Sequence, residues 1–185
     1  MIAPQLITRP AELLTLPEVK AHLDVDGSHH DALIQGYVAA AMDWLDGWNG
    51  VLGRCILTQT WASRHAALED IDLPFPDVVS AVVTYLDAAG ATQTVAPADY
   101  RVRTEHGCGR LIFSDAFSAP ALKSGRDDAV TVTAIYGRSS PPPALKVAAL
   151  AIVSAHYDAE KNGTGFAMPA MVNDLISPWR VGSIG

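Results

Sequence analysis

Hydrophobic positions change texture three times along the chain. Between residues 15 and 50 they recur every three or four places, between 54 and 136 they come in short alternating runs, and from 144 to 159 they are nearly continuous. These are the patterns of amphipathic helices, of half-buried strands, and of a helix buried on most sides.

Thr15-Leu16-Pro17-Glu18 has the form of a capping box with proline in the first turn, which predicts a short helix to about Leu23. After the turn Asp24-Val25-Asp26-Gly27, Ser28 and Asp31 open a second helix, expected to reach Trp48 and stop at Asn49-Gly50. Its buried stripe is read as Leu33, Tyr37, Ala41, Trp44 and Trp48. Strands are expected at Ile56–Ala62, Val78–Leu86, Thr92–Val95, Tyr100–Thr104, Arg110–Phe113 and Ala129–Tyr136. Asp87-Ala88-Ala89-Gly90 closes one hairpin and the glycine-rich Glu105–Gly109 a second, while Ser114–Asp128 reads as an irregular loop.

Pro141–Pro143 hold the next stretch extended and lead into a helix that Asn162-Gly163 terminates. Between Leu145 and Tyr157 only Lys146, Ser154 and His156 are polar, so the helix belongs in the centre of a fold or between subunits. Its longest apolar run, Val147–Val153, is too short to cross a membrane. The remainder is an arm with large apolar groups, Phe166, Met171, Leu175 and Trp179, broken by Pro169, Pro178 and glycines; a short helix from Pro169 to Ile176 fits it. Those side chains bury either against another subunit or back on their own domain.

The fold class is therefore α+β. A small helical domain, with helices in 15–50 and 143–161, carries an inserted antiparallel β region at 54–136; residues 1–163 form one domain and 164–185 an extended C-terminal arm.

Charge narrows the function. The net charge is −7, with seven acids against Arg9 and Lys20 in residues 1–53, ten acids against eight bases in 54–140, and balance thereafter. A general nucleic-acid binder needs a cationic footprint that is missing here. No secretory signal is visible in MIAPQLITRPAELL, so synthesis in the cytoplasm is expected, with Cys55 and Cys108 reduced and structural.

Candidate chemistry is thin. His29-His30-Asp31 has no second cluster to complete a metal shell, and Asp24-Val25-Asp26-Gly27 lacks the third oxygen ligand of a calcium loop. Glu105–Gly109 continues as strand rather than as the helix that a phosphate loop requires. No catalytic, metal or cofactor residue is assigned. Two rival readings are a small hydrolase using His156 or His106, and a cytoplasmic accessory protein that binds nucleic acid through Arg64, Arg101, Arg103 and Arg110.

Taken in order, LITRPAELLTLPEVKAHLDVDG, ALIQGYVAAAMDWL, ILTQTW, VTYLDAAGATQTVAPADYRV, TVTAIYG, PPALKVAALAIVSAHYDAEKNG and LISPWRV resemble the head-tail connector, or adaptor, proteins of long-tailed phages and phage-derived gene transfer agents. The resemblance spans about Leu6 to Val181. Ile135, where small residues are common, and Trp179, where tyrosine is usual, depart from it. It implies a non-catalytic structural protein of the particle's head-tail junction, made in the host cytoplasm. It further implies a ring, usually of about twelve copies, beneath the portal. The ring extends the DNA channel without specific DNA binding and docks the tail or stopper component. The arm is the part that reaches the portal, which carries over to Leu175, Trp179 and Arg180; with the arm's apolar Phe166 and Met171 these are the candidate portal or subunit contacts. On that reading, removal of everything after Gly163 leaves the domain folded and costs attachment.

Overall fold

A computed structural model describes residues 3–105 and 107–181. It is a mixed α and β structure with antiparallel sheets, and the chain divides into two compact units. One is a β unit built on Leu57–Arg138 with the N-terminal strand. The other is a helical unit of Ala11–Ile56 and Ser139–Arg180, interrupted in sequence by the first.

In the β unit, β1 (Gln5–Thr8), β2 (Gln59–His65), β4 (Val78–Leu86), β5 (Thr92–Thr94) and β8 (Val130–Tyr136) form a sheet in the order β1-β2-β8-β4-β5. The central strand β8 alternates strictly. Val130, Val132, Ala134 and Tyr136 are buried while Thr131, Thr133 and Ile135 face outward, the signature of a sheet with one covered face. Behind it, Phe75 stands edge-on to both Trp61 and Tyr136, at centroid distances of 5.1 and 5.2 Å. The buried Gln59 accepts a 3.0 Å hydrogen bond from Trp61 Nε1, so a polar group in the core is satisfied rather than stranded.

A second sheet has the order β3-β7-β6, from Ile71–Leu73, Cys108–Phe113 and Tyr100–Glu105. Gly109 lies where β7 passes close to the Phe75–Val78 segment. A Cβ there would come within 2.3 Å of the Phe75 carbonyl oxygen and 2.6 Å of Val78 Cγ2. Neither β1 nor β3 was expected from the sequence: each is four residues or fewer, too short for periodicity to register.

In the helical unit, α3 (Pro143–Asn162) packs against α1 (Leu16–Leu23), α2 (Asp31–Leu45) and α4 (Ala170–Ile176). Two local expectations are corrected. The Thr15 side chain makes no cap; Glu18 pairs with Lys146 of α3 at 2.7 Å, and this partner, with a smaller contribution from the Thr15 backbone, holds its carboxyl below the ordinary range. The α2 stripe is displaced: Ile34, Ala41 and Leu45 are buried, whereas Leu33 is 36% and Trp48 42% exposed. The helix also stops three residues early, because the Asp46 carboxylate takes the Ile56 N–H at 2.6 Å and turns the chain. Lys20 ties α1 to α2 through Asp31 at 2.6 Å.

Candidate interaction surface

The segment after α3 starts where Gly163, at φ 62°, caps the helix and passes its N–H to the Ala159 and Glu160 carbonyls. Phe166 then lies flat on His156, with ring centroids 3.8 Å apart and planes 7° apart, and the Tyr37 ring of α2 stacks on His156 at 5.1 Å and 13°. Burial lowers the pKa of His156 and favours the neutral ring. With Tyr37 and Phe166 both stacked on it, this histidine has a packing role. His30 likewise stands edge-on to Tyr157 of α3 at 5.7 Å. His106 falls outside the described residues.

The helix α4 divides its side chains by face. Val172 and Ile176, one turn apart, are fully buried; Met171 is 48% exposed and Leu175 half-buried beside it in sequence. Trp179 is half-buried in the short 3-10 turn Ser177–Trp179, and exposed Arg180 reaches back to Asn173 of α4 at 3.2 Å. Of the five candidate contacts, Met171 and Leu175 therefore share the outward side of one helix. Phe166 is engaged on His156 while remaining 42% exposed, and Arg180 is tied to α4.

The arm is thus partly core. Its inward residues belong to the helical unit, and only its outward residues are available to a partner. Sequence reading missed further exposed apolar groups of this unit, Val147 on α3 at 45% together with Leu33 and Trp48. Val147 carried a signal, since Ala144, Val147, Ala151, Ser154 and Asp158 follow a three-to-four spacing of small or polar groups that marks the least buried side of α3.

The β unit carries open grooves. In the groove bordered by Arg64, Thr84, Tyr85 and Thr131, Arg126 grips the Asp128 carboxylate with two 2.6 Å hydrogen bonds, so its best-placed charges satisfy each other. His65 bonds Ser63 Oγ at 2.9 Å, and burial lowers its pKa. Among the described residues there is no group of three or more His, Cys, Asp or Glu able to hold a metal ion. Nor, among the described residues, is any helix long and apolar enough to cross a membrane.

No family model and no curated protein matches the chain. Solved structures do. Over its whole length the chain is similar to a chain of the virion of a native gene transfer agent particle, with TM-score 0.77 and 22% identity, covering 98% of that chain. It is similar over its whole length to a chain in the neck of an empty gene transfer agent particle computed with C6 symmetry, with TM-score 0.75, 20% identity and 98% coverage of that chain. A chain in the neck of a native particle computed with C12 symmetry matches 97% of it, and is itself covered to 98%, with TM-score 0.68 and 21% identity. From end to end, this chain has the fold of a gene transfer agent neck chain.

Proposed function

We propose that the chain is a structural protein of the head-tail junction of a gene transfer agent or phage particle. It is an adaptor that assembles as a ring beneath the portal, extends the DNA channel and docks the next tail component, and it has no catalytic role. The observation that carries this reading is the match over the whole chain, or nearly all of it, to chains of gene transfer agent necks and of a gene transfer agent virion. Neck assemblies computed with C6 and C12 symmetry support a ring of about twelve copies with head-to-tail contacts. The charge of −7 suits a channel that DNA passes without being held.

Attachment falls to the outward side of the arm: Phe166, Met171, Leu175, Trp179 and Arg180. The support is the exposure of Phe166, Met171 and Arg180, and the partial exposure of Leu175 and Trp179, beside the fully buried Val172 and Ile176, so a partner can cover them without unfolding α4. The test is the mass and negative-stain image of the full chain with and without portal protein. Closed rings on the portal are expected, and a chain that stays monomeric in both conditions refutes the proposal.

A further inference from the structure

The outward face of the three-stranded sheet carries three arginines. The β6–β7 register sets Arg103 directly opposite Arg110 and Arg101 opposite Ile112, while Asp72 of β3 lies across from Arg110 on its other side. The alternate positions Val102, Leu111, Ile71 and Leu73 point inward. Like charges directly opposite one another on neighbouring strands destabilise a sheet. Among the described residues no side-chain hydrogen bond offsets the arrangement.

Arg110 stands 3.7 and 3.8 Å from Asp70 and Asp72, and Arg103 stands 3.8 Å from Glu105; these approaches are too long for hydrogen bonds. Arg101 has no partner among the described residues, and Arg110 Nε is shielded from water with no acceptor. Arg126, by contrast, spends two donors on one carboxylate at 2.6 Å. The sheet therefore presents forked donors in reserve for planar oxygen acceptors from outside.

We propose that this arginine face is a subunit contact, receiving carboxylates from the helical unit of a second copy of the chain. Two observations choose that occupant. Asp70, Asp72 and Glu105 border the arginines, so a continuous phosphate backbone would meet three negative charges, whereas single carboxylates fit between them. The helical unit supplies such groups: ten acids against five bases, with Asp24, Asp26 and Asp43 exposed and without partners among the described residues. The face belongs to the β unit and the acids to the helical unit, so the two sides of the contact are different patches, as in a head-to-tail contact. The inference rests on the ring reading and names the contact that closes the ring.

Charge reversal in the full chain tests it, by sedimentation alone and with portal protein at about 0.05 and about 0.5 M salt. Wild-type association is expected to weaken with salt, and Arg101→Glu/Arg103→Glu to weaken it roughly tenfold or more at low salt. Arg101→Gln/Arg103→Gln, which keeps the size, should show the same direction, and unchanged circular dichroism confirms the fold. Asp24→Lys/Asp26→Lys or Asp43→Lys should match the arginine variant. Mixing Arg101→Glu/Arg103→Glu with the effective aspartate variant should give rings of alternating copies, because each reversed face then meets the opposite charge. The Arg101→Gln/Arg103→Gln variant mixed with it should give one-to-one pairs and no rings, and combining the Glu and Lys sets in one chain should restore rings. Rings that tolerate the arginine reversal overturn the inference and leave the ring reading standing; an arginine defect that no aspartate reversal reproduces excludes the helical unit as occupant. Loss of duplex DNA binding with intact rings would make the face a polyanion contact instead, and a wild-type chain that never associates removes both readings.

Discussion

Ile176→Ala tests the division of the arm into core and surface. Ile176 is fully buried on the inward side of α4. Truncation removes three side-chain carbons, roughly 2–3 kcal/mol of transfer free energy, and the residual cavity brings the expected loss to about 2–5 kcal/mol. Whole domains have only about 5–15 kcal/mol to lose, so the effect is large. Met171→Ser, five residues earlier on the outward side, should change stability by no more than about 0.5 kcal/mol. The assay is urea unfolding followed by the helical circular dichroism signal, which reports the unit containing all four helices. With a mid-range slope of about 2 kcal/mol/M, Ile176→Ala should move the midpoint by roughly 1–2.5 M and Met171→Ser hardly at all. In portal binding the order reverses: Met171→Ser should weaken attachment while leaving the fold intact. An Ile176→Ala chain within 0.5 kcal/mol of wild type refutes the assignment of α4 to the core. The same reasoning changes the outcome expected for truncation after Gly163, which removes Val172 and Ile176 and should destabilise the helical unit as well as abolish attachment.

Gly109→Ala should cost about 1–3 kcal/mol or more, because the added methyl meets the Phe75 carbonyl rather than a flexible side chain; thermal unfolding of the β unit reads it. Gly36→Ala should have the opposite sign: residue 36 is exposed in α2 with nothing within 4 Å of a Cβ, so a gain of about 0.5–1 kcal/mol and a rise of roughly 1–4 °C in Tm are expected. For pH, burial lowers the pKa of His65 and His156, so the unfolded chain binds more protons than the folded one below the ordinary histidine value. Their contribution is full above about pH 6.5 and declines as the pH falls through the lowered folded values. The urea midpoint should therefore drop on acidification through this range; a flat or opposite trend in wild type and a His65→Phe/His156→Phe variant alike contradicts it.

The period-two pattern of Val130–Tyr136 and the apolar run of α3 were legible because burial on one or both sides leaves a long signal. Long-range geometry was not. The order β1-β2-β8-β4-β5 places β8 between two strands distant in sequence, and β1 pairs with β2 across more than fifty residues. No local pattern encodes such pairings. The α2 stripe was misplaced because bulky Leu33, Trp44 and Trp48 outweighed Ile34 and Leu45, although Leu33 and Trp48 are exposed. In the arm, the apolar residues were visible but not their allocation: Val172 and Ile176 alternate with Met171 and Leu175, and only the packing of α4 tells core from surface.

The central claim is assembly into a ring at the head-tail junction, and the most direct measurement is the mass of the full chain bound to its portal protein. A closed ring of about twelve copies on the portal is the expected result. A single copy, or no binding at all, with the chain monomeric on its own, would contradict it.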